Sequence, residues 1–251
     1  MKKILCLFGA AALLLTSCSS DDDKTTSEEN VVFLPKTEKY TYALNAQDNS
    51  TVTYAYDGNK ITSLTYNTGE KTVFTYTDNL ITKAVYTETY EGAPRVFTTT
   101  FTYENGKLKS SFQLGSANSV NKRRTYTYNA NGTISTVTVL INPVTQVETQ
   151  DSSSVLTLDA RGNIVKAEFN DLTNIIEYDT KNNPFRDVLG FTALLDSDIF
   201  DKDANSVNNM TKVTEKSGDV IEGTTTYTNT YNTADYLIKS VSGNDTYEYT
   251  Y

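Results

Sequence analysis

The side chains best placed to do chemistry in this sequence form an acidic group near residue 200. Its members are Asp196, Asp198, Asp201, Asp203 and Asn205. The stretch Asp201-x-Asp203-x-Asn205 has the spacing of the first three oxygen ligands of a calcium-binding loop. The match ends there, because Ser206 stands where such a loop needs glycine and Lys212 where it needs a bidentate glutamate. We keep these three residues as a minor calcium candidate beside the alternative of a solvated loop, and otherwise predict no metal and no cofactor.

The rest of the chain lacks the side chains that most catalytic sites use. It contains no His, and its two cysteines are Cys6 and Cys18. The usual Ser-His-Asp arrangement and His-ligated metals are therefore excluded. A carboxylate pair could still act in glycoside hydrolysis, but 31 acidic residues offer no way to select one from spacing. We predict a protein that is not an enzyme.

The first residues form a targeting segment rather than part of the fold. Lys2 and Lys3 precede an apolar run over residues 4–15, which is too short to span a bilayer as a mature helix. The run ends in Leu15-Thr16-Ser17-Cys18, which resembles the lipobox of bacterial lipoproteins. That resemblance implies a signal peptide over residues 1–17 and a lipid on Cys18 that holds the chain on a bilayer. The alternative is an ordinary secretory signal with an incidental cysteine.

An acidic run follows the cysteine at Asp21, Asp22 and Asp23. It resembles the surface-export signal of lipoproteins in some Gram-negative bacteria, and the alternative is a solvated linker, since such a composition cannot bury enough apolar area to fold. Residues 18–30 are thus predicted to be an acidic flexible tether. The expected location is the outer membrane, by lipid anchor, with the protein exposed at the cell surface.

Length and charge limit the class of the mature chain. Removing residues 1–17 leaves 251 − 17 = 234 residues, and the loss of Lys2 and Lys3 changes the net charge from −9 to −11. A protein this acidic is repelled by phosphate backbones, so we predict no nucleic-acid partner. Residues 31–251 are long enough for a single β domain, whose stability must come from its core because no disulfide can form within it.

A hairpin unit repeats along this domain. Its first copy, TVTYAYDGNKITSLTY at residues 51–66, alternates Val52, Tyr54 and Tyr56 with small or polar residues, and Asp57-Gly58 predicts a tight turn. Further copies cover 72–86, 98–112, 124–137, 154–169, 174–185 and 226–241, and the chain closes with DTYEYTY at 245–251. The repeats predict an all-β antiparallel meander of about 14–16 strands.

The alternation also predicts which side chains face the interior. The aromatic and aliphatic set comprises Phe101, Tyr103, Leu108, Phe112, Tyr126, Tyr128, Tyr227, Tyr231, Tyr247 and Tyr249. The outward set comprises Thr100, Thr102, Lys107, Lys109, Thr226 and Thr228. A sheet this wide needs cover for its apolar face and its edges. We therefore expect it to curl into a barrel-like shape with the tyrosines inside.

Two known groups of proteins have repeats that resemble this hairpin pattern. Tyr56-Asp57-Gly58-Asn59-Lys60-Ile61 resembles the YD repeats of rearrangement-hot-spot proteins, which build long β shells. The lipobox, the acidic run, the tyrosine-rich hairpins and the segment Tyr178-Asp179-Thr180-Lys181-Asn182-Asn183-Pro184-Phe185 together resemble uncharacterised surface lipoproteins with a soluble, porin-like β fold. The second resemblance implies the fold, and that group has no established biochemical role.

The repeat is interrupted over residues 185–210. Apolar residues recur there at a helix-like spacing: Val188, Leu189, Phe191, Leu195 and Ile199. We predict a short helical insertion that plugs the tyrosine-lined interior, and the alternative is a lid over a binding site.

The features above favour a surface-anchored, non-catalytic binding module for a glycan or protein ligand. The 18 tyrosines could stack on sugars, but tyrosine is also a good strand residue and core filler. A structural envelope scaffold is the alternative. An outer-membrane pore and a glycoside hydrolase are disfavoured, the first because membrane strands need 9–11 residues and a lipid-facing apolar band.

Overall fold

The computed structural model of this chain describes residues 32–116, 119–195 and 206–251. The described residues form strands and two short 3-10 turns, Ala46–Asp48 and Thr192–Leu194. The strands are β1 Thr37–Tyr42, β2 Ser50–Asp57, β3 Lys60–Tyr66, β4 Lys71–Thr77, β5 Leu80–Tyr90, β6 Ala93–Glu104, β7 Lys107–Leu114, β8 Asn121–Tyr128, β9 Ile134–Ile141, β10 Glu148–Leu158, β11 Ile164–Phe169, β12 Leu172–Tyr178, β13 Met210–Ser217, β14 Val220–Thr226, β15 Thr228–Tyr231, β16 Leu237–Ser242 and β17 Asp245–Thr250.

The strands pair in chain order and then close on themselves. Each of β1 to β13 pairs antiparallel with the strand that follows it, and β15, β16 and β17 continue the series. β17 then pairs with β1, placing Tyr247 opposite Tyr40 and Tyr249 opposite Glu38. The predicted antiparallel, barrel-like meander is confirmed.

The wall has a seam where β14 meets β15. Only Tyr227 separates Thr226, the last residue of β14, from Thr228, the first of β15. β14 pairs with β13, whereas β15 pairs with β16. Strands β14 and β15 therefore form one bent segment, which pairs with β13 at its start and with β16 at its end. This segment connects the two parts of the barrel wall.

A β-bulge recurs just after the turn of several hairpins. The extra residues are Thr62, Thr82, Lys109, Val165, Thr211 and Ile238. A bulge shifts the alternation by one residue, so inward positions fall three residues apart, as at the buried pair Ile61 and Leu64. For the same reason the inward prediction for Phe112 is wrong, because it pairs with the exposed, outward Thr100. Phe101 and Leu108, which precede the shift, are buried as predicted.

The insertion after β12 fills one end of the barrel, and we call its described residues 183–195 the plug. Phe191 and Leu194 are fully buried, and the Phe191 ring stacks on Phe185 with 4.7 Å between centroids. The predicted helix is represented here only by the 3-10 turn Thr192–Leu194. The burial of Phe191 and Leu194 agrees with the prediction that the insertion packs into the barrel interior.

The plug reaches the hairpin turns closely enough to require a glycine. The Leu189 N–H donates to the Asn59 carbonyl at 3.0 Å. Gly190 has a φ of +72°, and a Cβ there would lie 2.7 Å from the Asn79 carbonyl oxygen. Only glycine combines this backbone conformation with such a close approach.

Asparagines fix both ends of the insertion. The Asn163 side chain, 1 % exposed, accepts hydrogen bonds from the N–H groups of Val207 and Asn208 at 2.9 and 3.1 Å. Asn183 Oδ1 accepts the Phe185 N–H at 2.9 Å, which turns the chain towards the interior. The N–H groups of Phe185, Val207 and Asn208 are thereby satisfied outside any strand or helix.

The interior changes character along the barrel axis. Near the plug the core is aliphatic and aromatic, with Ile61, Ile81, Leu108, Ile134 and Leu156 all buried. Towards the opposite end, which we call the rim, buried inward residues are hydroxylic and include Thr72, Thr99, Thr136, Thr138 and Ser154. The rim itself carries exposed apolar side chains at Leu44, Tyr90, Leu114, Val120, Val144, Val147, Leu172, Val220 and Ile221. No helix among residues 32–116, 119–195 and 206–251 is long and apolar enough to cross a membrane.

Candidate functional site

A cavity of about 240 Å³ runs along the seam, between the plug and the rim. We call it the seam cavity. Strands β1 and β13 to β17 and the ends of the insertion supply its lining: Glu38, Asn183, Pro184, Phe185, Asn208, Asn209, Met210, Thr225, Tyr227, Asn229, Leu237, Ser240, Ser242, Asp245, Tyr247 and Tyr249. Two of these residues are acidic, and none is Lys or Arg.

Tyrosine hydroxyls hold the two carboxylates of the seam cavity. The Tyr54 hydroxyl donates to Glu38 Oε2 at 3.1 Å, and the Tyr40 hydroxyl donates to Asp245 Oδ1 at 2.6 Å. Between these acids the Tyr40 and Tyr247 rings stack with 4.9 Å between centroids. The two carboxylates are thus held in place on either side of an aromatic pair.

The strand register sets the separation of the two acids. Glu38 lies opposite Tyr249 on β17, and Asp245 lies 249 − 245 = 4 residues further along that strand. At about 3.3 Å per residue, their backbone positions are about 13 Å apart.

Two buried amide oxygens in the cavity wall lack hydrogen-bond partners among the described residues. Asn209 is 4 % exposed, and its Nδ2 donates to Asp179 Oδ1 at 3.3 Å and to the Asn182 carbonyl at 3.2 Å, while its Oδ1 has no donor. Asn229 donates through Nδ2 to the Met210 carbonyl at 2.9 Å and likewise leaves Oδ1 unpaired. An unpaired buried oxygen costs about 1–3 kcal/mol, so a hydrogen-bond donor in this region would be stabilising.

The tyrosines around the seam cavity stay protonated. The hydrogen bond to Asp245, with a further contribution from burial, raises the pKa of Tyr40 to about 12. Burial, reinforced by the nearby Glu38 carboxylate, raises the pKa of Tyr54 and that of Tyr249 well above 10.0. Their hydroxyls therefore remain hydrogen-bond donors to the acids throughout the physiological pH range.

A second cavity, of about 490 Å³, lies on the inner face of β3 to β7, and we call it the rim cavity. Its lining includes Glu70, Glu88, Tyr66, Tyr86, Phe97, Thr99 and Gln113. The Tyr86 hydroxyl donates to Glu88 Oε2 at 3.2 Å, and the Tyr86 and Phe97 rings lie 6.1 Å apart. Acidic and aromatic groups therefore combine here as they do in the seam cavity.

The residues that the sequence singled out lie mostly outside the described part of the chain. Cys18, the acids Asp21, Asp22 and Asp23, and the calcium candidates Asp201, Asp203 and Asn205 all fall in residues 1–31 and 196–205. Within the described ranges, no group of three or more acidic, His or Cys side chains could hold a metal ion. Lys212, at the position of the missing glutamate, binds Glu177 on the outer wall at 2.9 Å.

Sequence reasoning missed the acids and asparagines of the seam cavity. Glu38 and Asp245 were recognisable in principle, because each shares the strand alternation of inward tyrosines: Glu38 with Tyr40, and Asp245 with Tyr247 and Tyr249. An acid in phase with an inward aromatic row points into the barrel. Asn209 and Asn229 carry no such signal, because their place depends on where the insertion returns to the wall.

The described fold is similar to that of a porin-like protein from Bacteroides vulgatus ATCC 8482, known from a crystal structure at 2.80 Å resolution. The similarity covers 88 % of this chain and 99 % of that chain, with a TM-score of 0.58 and 12 % sequence identity. No protein-family model and no curated protein matches the chain. The chain is therefore an all-β protein with a porin-like fold.

Proposed function

We propose that this chain is a non-catalytic binding module, held at the outer-membrane surface by a lipid on Cys18, and that its ligand binds inside the barrel. The observation that carries the proposal is the seam cavity, where two carboxylates, three tyrosines and buried Asn209, whose Oδ1 has no hydrogen-bond donor, line one space. A cavity of apolar walls with a few convergent polar groups is typical of ligand sites.

Two observations favour binding over catalysis. The chain contains no His. Tyrosine hydroxyls also donate to both acids, so each carboxylate already has a hydrogen-bond partner within the wall.

The outer wall favours a barrel that stands in water rather than in the bilayer. Charged pairs lie on outward positions, with Lys166 Nζ 2.7 Å from Glu168 Oε1 and Lys239 Nζ 3.4 Å from Glu248 Oε1. A lysine on the lipid face of a membrane barrel costs about 2–4 kcal/mol at the midplane. The plug also packs one end with Phe191 and Leu194, which argues against a through channel.

The rim favours a second candidate, a structural scaffold that contacts an envelope protein. Val144, Val147, Val220 and Ile221 are each at least 60 % exposed. Exposed apolar groups concentrated at one end of a molecule are typical of protein interfaces. In this alternative the rim contacts the partner protein, and the seam cavity binds no ligand.

Thermal unfolding of the mature chain with Cys18→Ser, without detergent, tests the proposal. The chain would be screened against surface glycans, small amines and peptides. A ligand at about 100 times its Kd stabilises the native state by about 2.7 kcal/mol, which raises Tm by several degrees in a domain of this size. A reproducible shift supports a binding module. No shift with any ligand favours the scaffold, and insolubility without detergent favours a membrane pore.

A further inference from the structure

We propose that the rim cavity is a binding site for a neutral saccharide, with a sugar ring held between an aromatic wall and a hydroxyl-bearing floor. The inference rests on the proposed binding function and adds to the seam cavity a second site with a stated class of ligand. At about 490 Å³ the rim cavity lies within the range of about 300–1,000 Å³ that is typical of ligand sites.

The inward row of residues nearer the rim supplies the aromatic wall. Tyr86 on β5 lies directly opposite Phe97 on β6, and Thr72 on β4 lies opposite Tyr86 from the other side. The rings of Tyr86 and Phe97 are 6.1 Å apart and tilted by 33°, so they form two adjoining apolar surfaces of the wall. The C–H groups of a sugar ring pack favourably on the face of an aromatic ring, which carries partial negative charge.

The inward row nearer the plug forms the floor of the cavity. Ala84 lies between Phe74 and Thr99, and Thr99 lies opposite Gln113 on β7. Ala84 is buried, and its side chain is much smaller than that of Phe74 beside it. The alanine therefore leaves room for a ligand above the floor.

Two buried threonine hydroxyls in the lining have no protein partner. Thr72 is 3 % exposed and Thr99 is 8 % exposed, and neither hydroxyl forms a hydrogen bond with another described residue. A hydroxyl has one donor and two acceptor positions, and a buried polar group left unsatisfied is unfavourable. The hydroxyl groups of a sugar also donate and accept, so they match both threonines and the amide of Gln113.

The charged groups at the mouth of the cavity already have partners, which favours a neutral ligand. Glu88 accepts the Tyr86 hydroxyl at 3.2 Å, and Glu70 accepts the Thr68 hydroxyl. Arg95 lies directly opposite Glu88, so both signs of charge occur at this level of the wall. A neutral ligand leaves these contacts intact, and its hydroxyls can donate to the remaining lone pairs of the carboxylates.

Thermal unfolding with four neutral trisaccharides, those of glucose, mannose, galactose and N-acetylglucosamine, tests the site. The full mature chain with Cys18→Ser would be titrated with each sugar and with sorbitol, an open-chain polyol, at the same concentrations. Sorbitol is the control because excluded polyols stabilise folded proteins without binding to a site. We expect at least one trisaccharide to raise Tm in a saturable way that sorbitol does not reproduce. No saturable shift with any trisaccharide, or an equal shift with sorbitol, would overturn the inference.

Variants of the lining place the effect in the rim cavity. Thr72→Val and Thr99→Val each replace the hydroxyl by a methyl group and should weaken trisaccharide binding by about fivefold. Phe97→Leu removes the ring, keeps an apolar side chain and should weaken binding by at least as much. Thr100→Val removes a hydroxyl from the exposed, outward position next to Thr99 and should bind as the unmodified chain does. If Phe97→Leu does not fold, the two threonine variants still decide the question.

The outcomes distinguish this inference from the proposed function. Equal loss in Thr100→Val and the cavity variants, or no loss in any of them, would overturn the rim site. Weaker trisaccharide binding in Asp245→Asn but not in the rim variants would move the saccharide to the seam cavity, which overturns the rim site and leaves the binding module standing. A shift with a peptide or an amine but with no saccharide would have the same consequence, and the absence of any shift would count against both.

Discussion

The Tyr40 hydroxyl donates a hydrogen bond to Asp245 Oδ1 at 2.6 Å, joining the first and last strands of the barrel inside its lumen. Tyr40→Phe removes the hydroxyl and keeps the ring that stacks on Tyr247. Because the acceptor is charged and half-exposed, we expect a loss of about 1 kcal/mol in the free energy of unfolding, measured by urea denaturation. Tyr42→Phe on the same strand is the control and should change stability by less than half as much. Equal losses in both variants would contradict the assignment.

The protonated tyrosines predict a loss of stability in alkali. The pKa of Tyr40 and that of Tyr76 rise from 10.0 to about 12 on folding, Tyr40 through its hydrogen bond to Asp245 and Tyr76 through burial. A raised pKa means that the folded chain holds its protons more tightly than the unfolded one. The stabilisation is therefore complete below pH 10 and is lost as pH rises through about 12.

Urea midpoints between about pH 8 and pH 12, with tyrosinate absorbance followed in parallel, would check this dependence. Tyr76→Phe should flatten the alkaline part of the curve, since it removes one of the shifted groups. A constant midpoint up to pH 12, or a tyrosinate titration complete near pH 10, would show that the hydroxyls are not protected.

The contact between the plug and the β4–β5 turn predicts a glycine-specific effect. Gly190→Ala would place a Cβ 2.7 Å from the Asn79 carbonyl oxygen, and Gly106→Ala has a similar φ, +75° against +72°, with nothing within 4 Å. Both variants bear the left-handed backbone cost of about 1–2 kcal/mol. Only Gly190→Ala adds overpacking of about 1–3 kcal/mol. Equal thermal destabilisation of the two would mean that the plug is not seated against this turn.

The Asn163 side chain predicts local protection of the returning insertion. Asn163→Ala leaves the buried N–H groups of Val207 and Asn208 without their acceptor, so we expect a loss of about 3 kcal/mol and faster hydrogen exchange at those two amides. Asn131→Ala is the control, because Asn131 also accepts a backbone N–H, that of Thr133, but at an exposed turn. Unchanged exchange at Val207 would contradict the role.

The proposed lipid anchor makes a prediction that cell fractionation can check. Cys18→Ser should abolish incorporation of labelled lipid and release the chain from the membrane fraction. Replacing Asp21, Asp22 and Asp23 by Ala should keep the lipid but reduce the fraction digested by protease added to intact cells. Lipid labelling of the Cys18→Ser variant would contradict the lipobox, and undiminished digestion of the triple variant would contradict the export signal.

The repeated hairpin pattern was sufficient to predict the architecture, because the turn residues and the alternation of each hairpin lie close together in the sequence. The pair Asp57-Gly58 specifies the turn of the first hairpin. The alternation of Val52 and Tyr54 with small or polar residues specifies its inward face, and both side chains are buried. The prediction for Phe112 failed at a bulge, which inserts Lys109 and reverses the faces beyond it. Inward positions counted along a strand are assigned to the wrong face beyond a bulge, unless the position of the bulge is known.

The seam cavity was less accessible to sequence reasoning. Glu38 carried a usable signal in its phase with Tyr40, but 31 acidic residues concealed it. The position of Asn209 depends on a meeting of the returning insertion with Asp179 and Asn182 at its start, and no local pattern encodes that contact. Within the described residues 185–195 and 206–210, the predicted helix is replaced by one 3-10 turn and irregular backbone, in which Asn183 accepts the Phe185 N–H.

The pairing of β17 with β1 constrains when this barrel can be completed. The Lys36 N–H donates to the Thr250 carbonyl at 2.7 Å across 250 − 36 = 214 residues of sequence. Strand β1 therefore keeps one unpaired edge until β17 has been synthesised and folds against it. Contacts so distant in sequence slow folding, and open strand edges invite association between chains. Synthesis and assembly are thus coupled through β17, and a chain truncated before Asp245 should fold to an aggregation-prone open sheet.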